Sequence, residues 1–331
     1  MSYHYKIVGL LCFLLVLLPC MVVLIPMVLV DFQEAAGKVD ALSSPMNDSS
    51  ADTDIYINVK LSNPKKTIRI PLEDYIRGVV ASEMPAEFEK ESLRAQAMAA
   101  RTYIYSRVKN KEATVTDTVK DQVYATDEKL KERWGRTFDK NIAKVSGAVV
   151  STKGKIITFH GKPIYAAFFS TSNGYTENSE EYFKQPYPYL RSVASTWDKQ
   201  SPKFTRSKTM SVASIIKELE KQTRKQIAVT AFSSRNGIKI LKRTTGKRIA
   251  QVKVGDRIFT GREIREVLGL ASSDFSWTQK DNQITFTTYG FGHGVGMSQW
   301  GANLLAKQGR DGEAIIMYYY RGVEIKNIKK T

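Results

Sequence analysis

The sequence predicts an α+β protein: a single transmembrane helix, then a mixed body of helices and antiparallel sheet with a central cleft and an inserted lobe. Three observations carry this. Residues 7–30 form an apolar run without a charge. Beyond residue 54, stretches that alternate apolar and polar residues, as half-buried strands do, are interspersed with stretches whose apolar residues recur three and four apart, as in helices. Residues 202–277 differ in composition from their flanks and are rich in lysine.

The run of 24 residues is long enough to cross a hydrocarbon core of about 30 Å. A signal-peptide core is shorter, about 7–15 residues, although Ala35-Ala36-Gly37 and Ala41-Leu42-Ser43 offer small residues to a signal protease. Lys6 before the run, with Asp31 and Glu34 after it, places residues 1–6 in the cytoplasm and the bulk of the chain on the extracytoplasmic side of the cell membrane. Residues 31–54, rich in Ala, Ser, Asp and Asn, read as a linker.

The body begins with alternating Ile55, Ile57, Val59 and Leu61, followed by a second short strand over residues 67–70. Pro71 opens a helix with Leu72, Tyr75, Ile76, Val79 and Val80 on one face; it stops by Met84, because Pro85 pushes the preceding residue out of the helical region. An alanine-rich helix covers residues 89–108, and another helix residues 137–145. Three strands follow at residues 148–151, 155–159 and 164–169. The lobe, residues 202–277, holds a helix at 211–222 and strands at 238–241 and 250–254. The chain returns to the body, residues 55–201 and 278–331, with alternating Ile284, Phe286 and Thr288, a glycine-rich loop, helices at 298–307 and 312–320, and a tail strand.

Composition narrows the chemistry. The 331 residues include 50 Lys+Arg against 33 Asp+Glu, and 42% are hydrophobic, which describes a folded globular chain. Lys6 is the only charged side chain before Asp31, so the exported part carries +16 and suits an anionic partner. The basic residues are scattered and build no nucleic-acid recognition module. Anionic cell-wall polymer or lipid headgroups fit an exported chain better. Cys12 and Cys20 both lie in the apolar run, which leaves no disulfide framework, thiolate metal site or cysteine nucleophile for the body. A serine triad is disfavoured, since no nucleophile elbow occurs and only His160 and His293 remain as exported histidines. Neither a metal site nor a cofactor is expected.

Glu83 is the sharpest candidate. A carboxyl set where a helix is forced to end projects from it, and apolar neighbours such as Met84 raise its pKa towards that of a general acid. An ordinary helix-end carboxylate is the plain alternative. The loop Gly290-Phe291-Gly292-His293-Gly294-Val295-Gly296, followed by Gln299, combines close backbone approach with two hydrogen-bonding side chains; the alternative is a tight turn pinned by His293. The Ser170–Asn178 stretch is dense in hydroxyls and amides, with Tyr175 or Tyr165 as an aromatic platform, a composition that suits sugars and also ordinary polar turns.

Two segments, Gly78-Val79-Val80-Ala81-Ser82-Glu83-Met84-Pro85 with Leu93-Arg94-Ala95-Gln96-Ala97 and the following residues to Tyr103, and Gly292-His293-Gly294-Val295-Gly296-Met297-Ser298-Gln299-Trp300-Gly301-Ala302, resemble the stage II sporulation protein D family. The resemblance implies a membrane-anchored lytic transglycosylase. Such an enzyme degrades septal peptidoglycan during engulfment in sporulation, prefers peptide-stripped glycan strands and leaves 1,6-anhydro-muramic ends. It implies Glu83 as catalytic acid/base, with Arg101, Ser170, Ser172, Tyr175, His293 and Gln299 lining or supporting the substrate site. It further implies the mother-cell membrane facing the forespore as location, and the stage II sporulation proteins M and P as partners. Some relatives bind a metal through His and Cys before the residues matching Gln122-Val123-Tyr124; no Cys stands there in this chain, so no metal is expected. A non-catalytic glycan-binding scaffold that stimulates an amidase is the alternative function, and a basic lipid binder a distant third.

Overall fold

The computed structural model of the chain describes residues 55–224, 226–227 and 237–328. The expected anchor and linker lie outside the described residues, and no helix among those residues is long and apolar enough to cross a membrane.

The opening hairpin is as expected. β1 (Tyr56–Leu61) turns Ile57, Val59 and Leu61 inward and pairs antiparallel with β2 (Lys66–Pro71). The chain then enters α1 (Leu72–Glu83), whose first turn carries Glu73 and Asp74 at the positive end of the helix dipole. Its buried face is Tyr75, Ile76, Val79 and Val80. Met84, preceding Pro85, ends the helix in extended conformation, φ −120° and ψ 144°.

α2 (Lys90–Tyr105) is the central helix of the body. Ala95, Ala97, Ala99 and Ala100 are wholly buried, and such small side chains let neighbours approach it closely on several sides. β3 (Glu112–Thr116) lies parallel to β1 and completes a sheet of order β2-β1-β3. This strand and α3 (Asp127–Trp134) arise from the polar passage where the sequence pattern predicts no element. α4 (Phe138–Val150) corrects another expectation: residues 148–150, read as strand, are its last turn. Val145, Ala148 and Val149 fall three and four apart and all are buried, whereas so short an apolar run is ambiguous in isolation.

β4 (Lys155–Phe159) and β5 (Lys162–Pro163) form a hairpin, and of the strand expected over residues 164–169 only β6 (Phe168–Phe169) is extended in a sheet. α5 (Ser179–Phe183) follows. The lobe comprises β7 (Thr205–Ser211), α6 (Val212–Thr223), β8 (Ile238–Arg243), β9 (Ile249–Val254), β10 (Arg257–Thr260), α7 (Gly261–Leu268), β11 (Phe275–Lys280) and β12 (Gln283–Tyr289). Its two three-stranded sheets, β10-β9-β8 and β11-β12-β7, enclose a second hydrophobic core that includes Val252, Phe259, Phe275 and Phe286. β12 is the middle strand of its sheet, so lobe structure continues past residue 277, where the composition changes.

The chain returns through β13 (Met297–Ser298), parallel to β6, then α8 (Gln299–Lys307), α9 (Gly312–Tyr319) and β14 (Glu324–Asn327), which pairs antiparallel with β4. α1, α4, α8, α9 and β4 all pack on α2. Elements from both ends of the body therefore meet around one buried helix, and Glu83 lies at the end of a helix that packs on it.

Candidate active site around Glu83

Glu83, the last residue of α1, is half-buried and keeps part of its surface in solvent. Its Oε1 accepts a hydrogen bond from the Val123 backbone N–H at 2.9 Å, and the Gln299 side chain donates another. Burial raises its pKa above the usual carboxylate range, and only those two hydrogen bonds oppose the shift. The negative end of the α1 dipole acts in the same direction as burial. The result is a carboxyl that retains its proton to higher pH than a free glutamate, with no neighbouring carboxylate sharing the titration.

Each of its partners is held from elsewhere. The segment carrying Val123 lies flat on α1 because residue 78 has no side chain: a Cβ there would fall 2.3 Å from the Tyr124 ring and 2.8 Å from the Ala125 carbonyl oxygen. In an open helix, Gly→Ala stabilises by about 1 kcal/mol. Gly78→Ala is expected to do the opposite, lowering the unfolding free energy in urea by about 1–3 kcal/mol through overpacking, and to slow any Glu83-dependent reaction by drawing the Val123 N–H away.

Gln299 opens α8, and its Nε2 also donates to Gln96 Oε1 at 3.4 Å. Gln96 is wholly buried on α2, and its own amide nitrogen has no hydrogen-bond partner. Ser298 caps α8 by accepting from the Gly301 N–H at 3.2 Å and donates its hydroxyl to Asp198 Oδ2 at 2.6 Å. Asp198 has no exposed surface; it also accepts from the Ser172 N–H at 2.6 Å and from the Ser195 hydroxyl at 3.3 Å. Burial pushes its pKa up while those donors pull it down. Asp198 thus locks the start of α8, and with it Gln299, against the Ser170–Glu177 turn.

A row of aromatic side chains lies in the same region. The Tyr75 hydroxyl donates to Gln122 Oε1 at 3.3 Å, and the charge of Glu83 is among those that raise its pKa, behind burial. From Tyr103, which the Tyr75 hydroxyl also senses, the row continues to Tyr165 at 6.2 Å between ring centroids and on to Tyr187 at 5.5 Å, stacked.

The residues expected to act with Glu83 divide into two groups. Gln299 is bonded to it, and the Ser170 backbone carbonyl accepts the Trp300 N–H at 3.0 Å beside Gln299; Tyr175 is 37% exposed on the same turn, its carbonyl bonded by Arg248. The others serve packing. Ser172 is wholly buried, its hydroxyl donating to the Ser195 carbonyl. Arg101 has no exposed surface and is bidentate on Glu73 at 2.8 and 2.6 Å, with further bonds to the Lys155 and Val149 carbonyls; buried in this way, it presents no face to a substrate. His293 pins its own loop. Its Nδ1 accepts the Val295 N–H at 3.1 Å, its other side bonds the Phe168 backbone, and Phe169, Tyr182 and Phe183 surround the ring.

Burial, with the nearby charges of Arg265, Arg248 and Arg262, depresses the His293 pKa from 6.5 to about 3. The unfolded chain therefore binds a proton that the folded chain refuses, and the stability from neutral His293 is present above pH 6.5 and lost as the pH falls towards 3. Urea unfolding is expected to show the advantage of the parent over His293→Gln largest near neutrality and shrinking below about pH 6.5.

The glycine loop and the Ser170–Glu177 turn are stitched together: Thr171 and Phe291 exchange backbone hydrogen bonds at 3.0 and 2.7 Å, and the Glu177 N–H donates to the Gly294 carbonyl at 2.8 Å. At Gly296, φ is +79° and a Cβ would stand 2.0 Å from the Ala167 carbonyl oxygen, so no other residue fits. The lobe docks on the same turn through Arg248, 3.2 Å from Glu177 Oε1 with both side chains buried. Among the described residues no group of three or more His, Cys, Asp or Glu is placed to hold a metal ion.

This construction carries the two segments singled out in the sequence, and comparison with known proteins agrees. A family model described as Stage II sporulation protein matches residues 62–159. Stage II sporulation protein D of Bacillus subtilis (strain 168) is 41% identical over 335 residues, covering 96% of this chain and 94% of that protein. The chain belongs to the stage II sporulation protein D family. Stage II sporulation protein D of Bacillus amyloliquefaciens is 44% identical over 77% of the chain and 74% of its own length. A more distant relative, the Amidase enhancer of Bacillus subtilis (strain 168), is 29% identical over 76% of this chain and 40% of its own length. Membership ties the chain to sporulation and to a cell wall-related family. At Gln122-Val123-Tyr124 the contribution to Glu83 comes from a backbone N–H, which no side-chain pattern announces. Gln96 does leave a trace in the sequence, since it is a polar residue on the same helical face as Leu93 and Ala100.

Proposed function

We propose that the chain is a peptidoglycan lytic transglycosylase with Glu83 as its single acid/base. The carrying observation is a half-buried carboxyl with a raised pKa and no carboxylate partner. Glycosidases that use water generally employ two carboxyl groups. A lytic transglycosylase needs one. The protonated Glu83 gives its proton to the glycosidic oxygen as the bond from C1 of N-acetylmuramic acid breaks, and N-acetylglucosamine leaves with that proton. The carboxylate then takes the proton of the C6 hydroxyl as that oxygen bonds to C1, closing the 1,6-anhydro ring and restoring the acid. Gln299 and the Val123 N–H orient the carboxyl, and the part-exposed pair Tyr165 and Tyr187 offers aromatic surface against which sugars stack.

The proposal extends to place and partners. The uncharged run at residues 7–30 anchors the chain in the mother-cell membrane with the +16 remainder facing the forespore, where it meets peptide-stripped glycan strands and the stage II sporulation proteins M and P.

Mass spectrometry of glycan strands incubated with the full-length chain in detergent tests the reaction. Anhydro-muramic ends are expected. Reducing ends would overturn the proposal in favour of a hydrolase with an activated water. The identity to the Amidase enhancer favours a second reading, a glycan-binding scaffold that stimulates an amidase; no cleavage, together with faster release of stem peptides by an added amidase, would put that reading first.

A further inference from the structure

The lobe meets the glycine loop at an open groove of about 300 Å³ that lies apart from Glu83. One wall is β7 and β12, with Arg206, Ser207, Lys208 and Thr288; a second is the turn after α7, with Gly269 to Ala271; the third is Phe291 of the glycine loop. Arg265 completes the lining, which contains three cationic side chains and no acid.

The cations differ in what already occupies them. Arg265 donates to the Tyr182 hydroxyl at 2.8 Å and to the Ala271 carbonyl at 3.3 Å. Lys208 Nζ donates to the Leu268 carbonyl at 2.7 Å, at the negative end of α7, and keeps two further protons to give. The Arg206 guanidinium lies 5.3 Å from the centre of the Phe291 ring, with Lys203 Nζ 6.0 Å from the same ring on the approach. Among the described residues no carboxylate pairs with Arg206 or Lys203. The Phe291 backbone is held by two hydrogen bonds exchanged with Thr171. Like charges gathered around one groove repel, and a bound anion relieves them. The groove is also large enough for a sugar unit, and its aromatic wall supplies the apolar face that a bare inorganic ion does not use.

We propose that this groove binds a carboxylate-bearing sugar, the carboxylate on Arg206 and Lys208 and the ring against Phe291. The proposal rests on reading the chain as a glycan-binding protein, and it adds a second point of contact that reads acidity on a strand whose bond is cut elsewhere. A guanidinium offers a carboxylate two parallel N–H donors, and a sugar of the same size without the carboxylate forfeits them.

The test is direct binding of N-acetylmuramic acid to the full-length protein in detergent, followed by ligand-observed NMR, with N-acetylglucosamine and inorganic phosphate as comparison probes. N-acetylmuramic acid is expected to bind at least about tenfold more tightly than N-acetylglucosamine, less tightly as salt is raised, and about tenfold less tightly to Arg206→Gln. Arg206 is exposed, so this variant folds, and Phe291→Leu is expected to weaken the acidic sugar while leaving phosphate unchanged. Equal binding of the two sugars, or undiminished N-acetylmuramic acid binding by Arg206→Gln, overturns the proposal. Phosphate that binds as tightly as the acidic sugar, with no effect of Phe291→Leu, also overturns it by reducing the groove to a general anion site. The two readings fail separately. Strand cleavage by the parent with sugar binding intact in Arg206→Gln removes the groove and leaves Glu83 standing. Binding lost in Arg206→Gln, in a protein that cleaves nothing, keeps the groove and removes the transglycosylase.

Discussion

Glu83→Gln is expected to lower the rate of the proposed strand cleavage by about 10²–10⁴-fold, the usual contribution of a positioned acid/base. Glutamine preserves the shape and can still accept the Val123 N–H, while the Gln299 amide can turn to meet its new neighbour, so the change removes the proton and little else. The pH dependence carries the sharper signature. Because the folded pKa is raised, the protonated form acting as acid is lost as the pH climbs through that value, and the parent's activity falls with it. The variant has no such limb. Stability moves in the same sense: a raised carboxyl pKa gives stability that is complete below the unfolded value and disappears as the pH rises through the folded one, whereas glutamine does not titrate. Glu83→Gln is therefore expected to gain thermal stability relative to the parent as the pH rises from 5 to 8. Circular dichroism melts beside product analysis measure both. A folded variant that cleaves as the parent does would remove Glu83 as the acid.

Glu83 and Gln299 are legible in the sequence for different physical reasons. Pro85 forbids α1 to continue, so a carboxyl at its end is predictable from local sterics, and Gln299 follows a run of glycines that no ordinary helix start requires. The remainder of the site is made by contacts that local pattern does not encode. Gln96 and Gln299 are 203 residues apart, and the Val123 N–H reaches Glu83 across 40. Asp198 reads as one acid in a polar stretch until the fold surrounds it with Ser172, Ser195 and Ser298. His293 misleads in the opposite direction. A histidine among glycines suggests an exposed ligand, yet His293 accepts the Val295 N–H of its own loop, and the glycines let that loop approach Phe169, Arg248 and Ala167 closely. In the fold, the first hairpin and α1 follow from periodicity, while β3 pairs in parallel across a large part of the body and residues 148–150 needed their helical neighbours to be assigned.

Arg101→Met is expected to lower the unfolding free energy by about 3–5 kcal/mol, the penalty for breaking a buried pair from one side. Methionine fills most of the volume, but it leaves the Glu73 carboxylate, whose side chain is 12% exposed, without its bidentate partner. The Lys155 and Val149 carbonyls also lose donors. Urea unfolding measures the loss, and adding Glu73→Leu is expected to restore part of it, because two apolar side chains leave no stranded charge. The kinetic consequence separates a clamp from a substrate ligand. Glu73 stands in the first turn of α1 and Glu83 in the last, so Arg101 holds one end of the rod whose other end carries the acid. A residue contacting glycan would raise KM and leave stability alone when lost. Arg101→Met should instead reduce the folded fraction and kcat, through a misplaced Glu83, with KM per folded molecule unchanged. A raised KM at full stability would return Arg101 to the substrate face, which its complete burial and its bidentate bond to Glu73 argue against.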